Sequence, residues 1–463
     1  MTTSELKLSN VENTNYAASM YEIQSIEHVP GYDRLLCTVI NERMYIIDDS
    51  YKVGDIVVTF PSGCKINPEF LSYINAFRHA NLNINTSKTG FFDDNARVKV
   101  MKFKESYSQG FIVSFDLLEK YLTKYNIQIV PTFNCEFDTI DKIQICEKYT
   151  VVKRVSGAGL GGQCAKKTLK TLIETIVPNQ FKFHDKITRA NNIKFRLVPG
   201  THLNISVKYH GTSGISANVL CKKEPTRIEK IFKKLFKFNF NEYEYKNVCA
   251  SRTVIKSVGD STEKISQDYN GFDIWTRCHN QIKDHLLPGM TMYYEIVGYM
   301  PSSKLIQKGY DYGCVPPTPT QGDLKEHYVL GQNYKIIVYR IKTTDPSGNT
   351  IEYPMSLIKE YINKIGVDGI QVPEILYDNY LPEVLDVDDN QYGDYFYKEF
   401  ANNKEWGMEQ DCPYCKNKVP FEGVVIRFEG RNLYDAFKLK CKKFDKFEDE
   451  QLDKGESNIE DEN

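Results

Sequence analysis

The sequence predicts an α+β protein in which a small antiparallel β-barrel precedes a larger domain of antiparallel sheets with flanking helices. Two observations support this prediction. Residues 20–60 contain short runs of alternating polar and apolar residues separated by turn residues, which is typical of a small barrel. From about residue 150 the strand-like runs are longer and helix-like stretches lie between them, which is typical of an α+β domain.

The barrel is predicted within residues 1–120. Its strand-like runs are 21–26, 35–40, 44–47, 55–60, 97–103 and 110–113. Residues 62–94 interrupt this pattern and are predicted to be a helical or loop insertion. We then expect a linker over 121–150, the second domain over 151–445 and a disordered tail over 446–463, because the tail is rich in Asp and Glu and nearly lacks apolar residues.

The composition is that of an ordinary globular protein. Of the 463 residues, 41% are hydrophobic and 26% are charged, and the net charge is −2. A nucleic-acid contact would therefore need local clusters of basic residues. The candidates for contacts with an RNA backbone are residues 222–237 and the group Arg97, Lys99, Lys102 and Lys104.

The sequence contains no apolar signal segment and no stretch of the ~18 apolar residues that a membrane span needs. Its 12 cysteines are expected to be reduced thiols. We therefore expect an intracellular, cytoplasmic monomer that contacts no membrane, with the nucleus as a second possible compartment. Cys412 and Cys415 have the spacing of a zinc half-site, which would need two further ligands, or they form a turn with two free thiols.

A candidate nucleophile is Lys208, which follows a strand-like run and precedes His210-Gly211-Thr212-Ser213. The glycine allows the chain to turn sharply and expose the lysine at the strand end. A lysine amine must be neutral to attack a phosphate, and lowering its pKa from about 10.4 to near 7 costs about 4–5 kcal/mol. Lys438, Lys440 and a divalent metal ion are predicted to supply this shift. In isolation, the same pattern fits a surface lysine in a hairpin.

Two carboxylates lie in buried-looking strands further along the chain. Glu295 could bind the hydroxyl groups of a ribose, and Glu422 could orient a hydrated Mg²⁺ through water. Each could instead have a structural role, Glu295 in a salt bridge and Glu422 at a strand edge.

The remaining elements are one aromatic residue and a pair of lysines. Lys438 and Lys440 alternate on a predicted strand, so both ammonium groups lie on one face and could reach one phosphate cluster. Tyr339 could stack on a purine or simply belong to the core.

Taken in order, these elements resemble the covalent nucleotidyltransferases, and His210 with Thr212-Ser213 resembles the RNA ligase branch. Residues 23–35, 52–57 and 108–110 resemble the N-terminal OB domain of the RNA ligase 5 family, the Deinococcus and Naegleria type. The resemblance covers about residues 20–445 and implies an OB-fold domain followed by a ligase-type adenylyltransferase domain.

The resemblance also implies an ATP-dependent RNA ligase that joins 3′-OH and 5′-phosphate ends, as in a nicked duplex, with Mg²⁺ or Mn²⁺. Lys208 would carry AMP, and Glu422 would bind the metal ion through water. The implied nucleotide-binding residues are His210, Gly211, Arg252, Glu295 at the ribose, Tyr339 at the adenine, Glu422, and Lys438 with Lys440 at the phosphates.

Several alternatives stay open. Residues 156–162 fit the glycine pattern of a dinucleotide-binding loop, although the sequence after them does not continue the expected βαβ unit. DNA ligases and capping guanylyltransferases share the lysine chemistry but normally place an OB domain after the last lysine pair, whereas here only about 23 residues follow Lys440, in a stretch rich in Asp and Glu. An OB barrel with a basic helix could also bind RNA without catalysis.

Overall fold

The strands of the computed structural model form two groups, and no strand pairs with a strand of the other group in the part that is described. The structure describes residues 11, 14–133, 135–151, 163–223, 228–229, 235, 241–259, 272–318 and 327–455. The glycine pattern at 156–162 and most of the basic stretch 222–237 lie outside these ranges. We call residues 14–148 the first module and residues 163–455 the second module.

The first module contains thirteen strands and two helices among its described residues. The strands are β1 Ala18–Glu22, β2 Glu27–His28, β3 Leu36–Ile40, β4 Arg43–Ile47, β5 Ile56–Pro61, β6 Cys64–Ile66, β7 Met101–Phe103, β8 Ser106–Ser108, β9 Gly110–Ser114, β10 Glu136–Phe137, β11 Thr139–Ile140, β12 Ile143–Gln144 and β13 Cys146–Lys148. The helices are α1 Pro68–Tyr73 and α2 Phe115–Thr123.

Most strands of the first module lie in two separate sheets. One has the order β10-β1-β5-β9 and the other the order β2-β3-β4-β8-β7, and β6 and β11–β13 form two small pairs. Six of these strands lie where the alternating pattern predicts them, and α1 lies in the predicted insertion. No closed barrel forms among the described strands, so the barrel topology is not confirmed.

Residues 136–148 do not form the linker that the sequence predicts. β10 pairs with β1 and β13 pairs with β6, so this stretch completes the sheets of the first module. Phe137 is fully buried in the same core as Phe60 and Phe70. The sequence analysis does not predict these strands because each is only two or three residues long. The partners of β10 and β13 lie 80 or more residues away in sequence.

The second module contains twelve strands and five helices among its described residues. The strands are β14 Thr188–Arg189, β15 His202–Val207, β16 Thr212–Lys222, β17 Tyr243–Ser251, β18 Ile255–Val258, β19 Met290–Gly298, β20 Tyr334–Thr344, β21 Thr350–Glu352, β22 Ile370–Gln371, β23 Ile375–Tyr380, β24 Gly423–Phe428 and β25 Ala436–Lys440. The helices are α3 Gln163–Glu174, α4 Ile274–Ile282, α5 Met355–Ile365, α6 Asp389–Ala401 and α7 Lys442–Asp453.

The second module contains two sheets, and one short segment links strand β15 of the first sheet to strand β16 of the second. The five-stranded sheet has the order β14-β25-β24-β15-β23, and the larger sheet has the order β18-β17-β16-β19-β20-β21, with β22 beside β20. Apart from the short β14 and β22, all pairs are antiparallel, as predicted. Residues 208–211 connect β15 to β16, so Lys208 lies where the chain passes from one sheet to the other. No helix in the described part of the chain is long and apolar enough to cross a bilayer.

The predicted acidic tail is helical as far as Asp453, because α7 packs between the two modules. Asp445 and Asp449 on this helix are buried. Asp449 accepts a hydrogen bond from the Val100 backbone N–H, and the side chain of Arg97, which is also buried, donates to the Asp449 carbonyl and to Asp453. The composition of this stretch shows only that it is acidic. The helix could not be predicted from it, because the buried cations that pair with these acidic residues are far away in sequence.

Burial raises the pKa of Asp449 to about 7, although the Val100 N–H and Arg97 partly oppose this. A carboxyl group whose folded pKa lies above its unfolded value of about 3.9 stabilises the protein when protonated, and this contribution is lost as the pH rises from about 4 to about 7. We therefore expect Asp449→Asn to gain stability relative to the wild type over that range, on the order of 4 kcal/mol at most. Thermal unfolding at pH 5 and pH 8 measures this difference.

The control is Asp453→Asn, one turn along the same helix. Its carboxylate side chain is 42% exposed, so its neutralisation should give no such gain as the pH rises. An equal difference between wild type and Asp449→Asn at both pH values would contradict the prediction.

Candidate active site

Lys208 is held at the end of β15 by the neighbouring strand. Its backbone N–H donates to the Gly423 carbonyl at 2.9 Å, which extends the pairing of β15 with β24 by one residue. Gly211 lies three residues later, directly before β16. A Cβ atom at this position would lie 2.3 Å from the carbonyl oxygen of Ile296. Only glycine fits this close approach, so the Gly211 predicted from the sequence is required for the passage between the sheets.

The Lys208 ammonium group forms an ion pair with Glu422, with 2.8 Å between Nζ and Oε1. Burial opposes the charge of Lys208, but the carboxylates of Glu422 and Glu295 outweigh burial and hold its pKa above the usual value. The sequence predicts the opposite, a pKa lowered by cations. The nearby carboxylates reverse this, and Lys208 is protonated in this arrangement.

Glu422 is 3% exposed and lies directly before β24. Burial opposes its charge, but Lys208, His210 and Lys440 outweigh burial and hold the pKa of this carboxyl far below its usual range. Its second oxygen, Oε2, lies 3.5 Å from Nδ1 of His210 and has no hydrogen-bond partner in the described part of the chain. A buried, ionised carboxylate with an unused oxygen suits a hydrated divalent cation.

Glu295 on β19 supports the turn that follows Lys208. Its Oε1 accepts from the Gly211 backbone N–H and its Oε2 accepts from the Ser213 hydroxyl, both at 3.0 Å. The register of β16 on β19 places Ser213 opposite Glu295. The glutamate therefore fixes the backbone next to Lys208. It also lines the cavity that surrounds Lys208.

Lys438 and Lys440 lie on one face of β25, but their surroundings differ. Lys440 forms an ion pair with Glu448 of α7 at 2.7 Å and lies 3.7 Å from Asp445. Burial opposes its charge, but Glu448, Asp445 and Glu422 raise the pKa of Lys440. Lys438 has no ion-pair partner among the described residues, and burial together with Lys440 and Arg189 lowers its pKa well below the usual value.

One cavity of about 650 Å³ is lined by every residue that the sequence places at the nucleotide. Tyr339 on β20 and Arg252, which directly follows β17, also line it. Tyr339 is half-buried, and its hydroxyl group is hydrogen-bonded to Nδ1 of His184 at 2.7 Å. The structure thus brings together His210, Gly211, Arg252, Glu295, Tyr339, Glu422, Lys438, Lys440 and the nucleophile candidate Lys208.

The sequence analysis missed a segment of this cavity, residues 184–189, which precedes the nucleophile strand. Asp185 pairs with the buried Arg340 at 2.7 Å, and Arg189 binds Asp445 through both guanidinium NH groups at 2.8 and 3.0 Å. The segment has no motif spacing, and its partners lie more than 150 residues away. Only the clustering of charged residues before β15 could have drawn attention to it.

The structure does not support two of the weaker predictions for individual residues. The Arg97 side chain is fully buried and paired with α7, and Lys99 pairs with Asp93 and Asp453, so Arg97 cannot reach RNA in this arrangement. Lys102 and Lys104 are exposed, as a phosphate contact requires. Cys412 and Cys415 are adjacent, but no group of three or more His, Cys, Asp or Glu suited to a metal occurs in the described ranges, so a zinc site lacks ligands there.

The fold is similar to that of solved structures of an RNA ligase. No protein-family model and no curated protein matches this chain. A Naegleria gruberi RNA ligase mutant in its apo form has a TM-score of 0.53 at 12% identity, over 95% of this chain and 99% of that chain. Another mutant of that enzyme, with ATP and Mn, has a TM-score of 0.52 at 12% identity, over 94% and 99%. At this identity the likeness shows a shared fold.

The pairing of Lys440 with Glu448 makes a prediction about anion binding. Glu448→Gln removes a carboxylate that competes with any phosphate for Lys440, so we expect pyrophosphate to bind about two- to fivefold more tightly, the range that a partly exposed ion pair accounts for. Calorimetric titration with pyrophosphate measures the affinity.

Glu450→Gln is the matched control, because Glu450 lies on the same helix, is exposed and does not line the cavity. Equal affinities of the two variants would contradict a competition between Glu448 and the anion.

Proposed function

We propose that the chain is an ATP-dependent RNA ligase that joins a 3′-OH end to a 5′-phosphate end through an AMP adduct on Lys208. The observation that carries the proposal is the convergence of Lys208, Glu422, Glu295 and Lys440 in one cavity at the junction of two sheets. The shared fold with Naegleria gruberi RNA ligase supports it.

The first step would form a phosphorus–nitrogen bond. The neutral amine of Lys208 attacks the α-phosphorus of ATP, the bond from that phosphorus to the bridging oxygen breaks, and pyrophosphate leaves with the β- and γ-phosphates. Because a protonated amine has no lone pair, the ion pair of Lys208 with Glu422 must first open and the ammonium group must release one proton. The nitrogen loses a second proton as the phosphorus–nitrogen bond forms.

The nucleotide would be oriented by residues on both sheets. Tyr339 and the 184–189 segment lie at the adenine side in this proposal, Glu295 at the ribose, and Lys438 and Lys440 at the phosphates. Because Lys440 has an alternative carboxylate partner in Glu448, a phosphate would replace a negative charge that the site already accommodates. Positioning and charge neutralisation are the main requirements of phosphoryl transfer.

A divalent cation, Mg²⁺ or Mn²⁺, would be held through water by Glu422, whose buried Oε2 lacks a hydrogen-bond partner among the described residues. When bound, the ion would neutralise charge on the phosphates. Glu422 itself has two functions here, since its Oε1 also orients the Lys208 amine.

The later steps would seal the RNA. AMP passes from Lys208 to the 5′-phosphate end, and the 3′-OH then attacks that phosphate and displaces AMP. We infer that the first module is an OB-type domain of the RNA ligase 5 kind that binds the RNA beside the break, with Lys102 and Lys104 as backbone contacts. The Lys104 ammonium group lies 4.8 Å from the ring centre of Tyr32, next to an exposed surface.

We further propose that the enzyme is a monomer inside the cell, where its cysteines stay reduced. All eleven cysteines whose state is described are free thiols, which suits that environment. The domain divisions at residues 120, 150 and 445 stay predictions, although the strands of 136–148 associate this stretch with the first module.

Incubation with ATP labelled at the α-phosphate and Mg²⁺ tests the proposal directly. We expect an acid-labile label on the wild-type protein and none on Lys208→Ala. Lys194→Ala is the matched control, because Lys194 is similarly half-buried and ion-paired but lies outside the cavity, so this variant should be labelled like the wild type.

A label on Lys208→Ala, or none on the wild type, would overturn the assignment. Labelling by GTP but not by ATP would instead indicate a capping guanylyltransferase, and sealing of DNA in preference to RNA would indicate a DNA ligase. RNA binding without any label would indicate a binding module.

The raised pKa of Lys208 predicts how adduct formation depends on pH. The neutral fraction of an amine rises about tenfold per pH unit below its pKa, so the single-turnover rate of adduct formation should rise with pH between 6.5 and 9, by up to that factor per unit. ATP binding by Lys208→Ala over the same range controls for effects on binding. A rate that is flat or falls would contradict a protonated resting state.

A further inference from the structure

The sequence Cys412-Pro413-Tyr414-Cys415 forms a tight turn in the second module. The Cys415 backbone N–H donates to the Cys412 carbonyl at 3.4 Å, so the two cysteines are the first and fourth residues of the turn. In such a turn the outer Cα atoms lie less than about 7 Å apart, and proline suits the second position. A disulfide needs Cα atoms about 4.4–6.8 Å apart. The backbone therefore already brings the two residues to bridging distance.

The two thiols also influence each other. The neighbouring Cys415 thiol holds the pKa of Cys412 below its usual range, although burial opposes the shift. Cys412 is 5% exposed, whereas Cys415 is partly exposed to solvent. Of the two cysteines, Cys415 is therefore the more open to a reagent in solution.

We propose that Cys412 and Cys415 are a redox-active dithiol that closes to an intramolecular disulfide when it meets a low-molecular-weight disulfide such as oxidised glutathione. The other nine described cysteines are spread along the chain, and none of them has a second cysteine three residues away. No group of three or more ligand side chains suited to a metal surrounds the pair within the described ranges, which favours exchange chemistry over metal binding.

The reaction balances as a thiol–disulfide exchange. One protein thiolate attacks a sulfur of the small disulfide, forms a mixed disulfide and displaces the first small thiolate. The second protein thiolate then attacks the protein sulfur of the mixed disulfide and displaces the second small thiolate. The two protein sulfurs are oxidised, the small disulfide is reduced to two thiols, and the two thiol protons pass to the displaced thiolates.

The dithiol is connected to the nucleophile through Tyr312. The Lys416 backbone N–H, directly after Cys415, donates to Oδ1 of Asp311 at 2.9 Å, and the hydroxyl of the next residue, Tyr312, accepts from the His210 backbone N–H at 2.6 Å. Tyr414, inside the turn, packs against Tyr209, which directly follows Lys208, with 6.4 Å between the ring centres. Closing the bridge brings the two sulfurs to a bond length of about 2.05 Å, so Cys415 must move relative to Tyr312.

This coupling rests on the proposed function, because its readout is adduct formation on Lys208. We expect the disulfide form to react with ATP about fivefold more slowly, the factor that one ordinary hydrogen bond accounts for. The existence of the disulfide does not rest on that function.

The first experiment measures the disulfide itself. The reduced full-length protein is equilibrated with mixtures of reduced and oxidised glutathione, free thiols are blocked with N-ethylmaleimide, and the protein is digested with trypsin. Cleavage after Lys404 and Lys416 releases residues 405–416, which contain Cys412 and Cys415 and no other cysteine. As the mixture becomes more oxidising, we expect the peptide that carries two N-ethylmaleimide groups to be replaced by an unalkylated peptide two hydrogen atoms lighter than the free dithiol.

Cys415→Ser should not form the disulfide peptide, and its Cys412 should carry a glutathione adduct or stay a free thiol. The control is Cys135→Ser, which changes a half-buried cysteine of the first module and should behave like the wild type. The proposal is overturned if the peptide carries two N-ethylmaleimide groups at every ratio, if the wild type forms only glutathione adducts, or if its thiols become reactive only after EDTA removes a metal.

The second experiment compares the rates of adduct formation by the reduced and oxidised proteins. We expect the rate of the wild type to fall on oxidation and that of Cys415→Ser to stay constant. Equal rates for both forms of the wild type would overturn the coupling. If neither form is labelled by ATP, the proposed function fails, while the peptide masses still decide whether the dithiol is redox-active.

Discussion

The passage of the chain from β15 to β16 is the constraint on which the candidate site depends. Residues 208–211 must leave one sheet and enter the next, and the strand registers on either side decide what Lys208 meets. The pairing of β15 with β24 brings Glu422 to its amine, and the pairing of β16 with β19 brings Glu295 to the following turn. Gly211 makes the passage possible because no side chain fits there.

Charge compensation is the second feature of the site. Burying an ion costs several kcal/mol unless a partner compensates for it, and the cavity contains both signs of charge in close contact. Lys208 is compensated by Glu422, and Lys440 by Glu448, so each lysine already has an anionic partner that a phosphate group could replace. The site therefore combines a stable arrangement with cationic groups suited to polyphosphate, and it keeps Lys208 protonated until that arrangement changes.

Helix α7 connects this charge network to the first module. Asp445 binds Arg189 near the cavity, and Glu448 binds Lys440. One turn further along, Asp449 and Asp453 contact Arg97. The helix thus presents carboxylates to cations of both modules.

The sequence by itself determined the α+β class, six of the thirteen strands of the first module, and the order of Lys208, Glu295, Glu422, Lys438 and Lys440, because alternation and glycine turns are local properties. Only the tertiary structure decided that 136–148 are strands, that α7 is ordered and buries its aspartates, and that Asp185 and Arg189 belong to the site. These outcomes depend on partners more than 80 residues away, which compensate for buried charge and complete short strands in ways that no local pattern encodes.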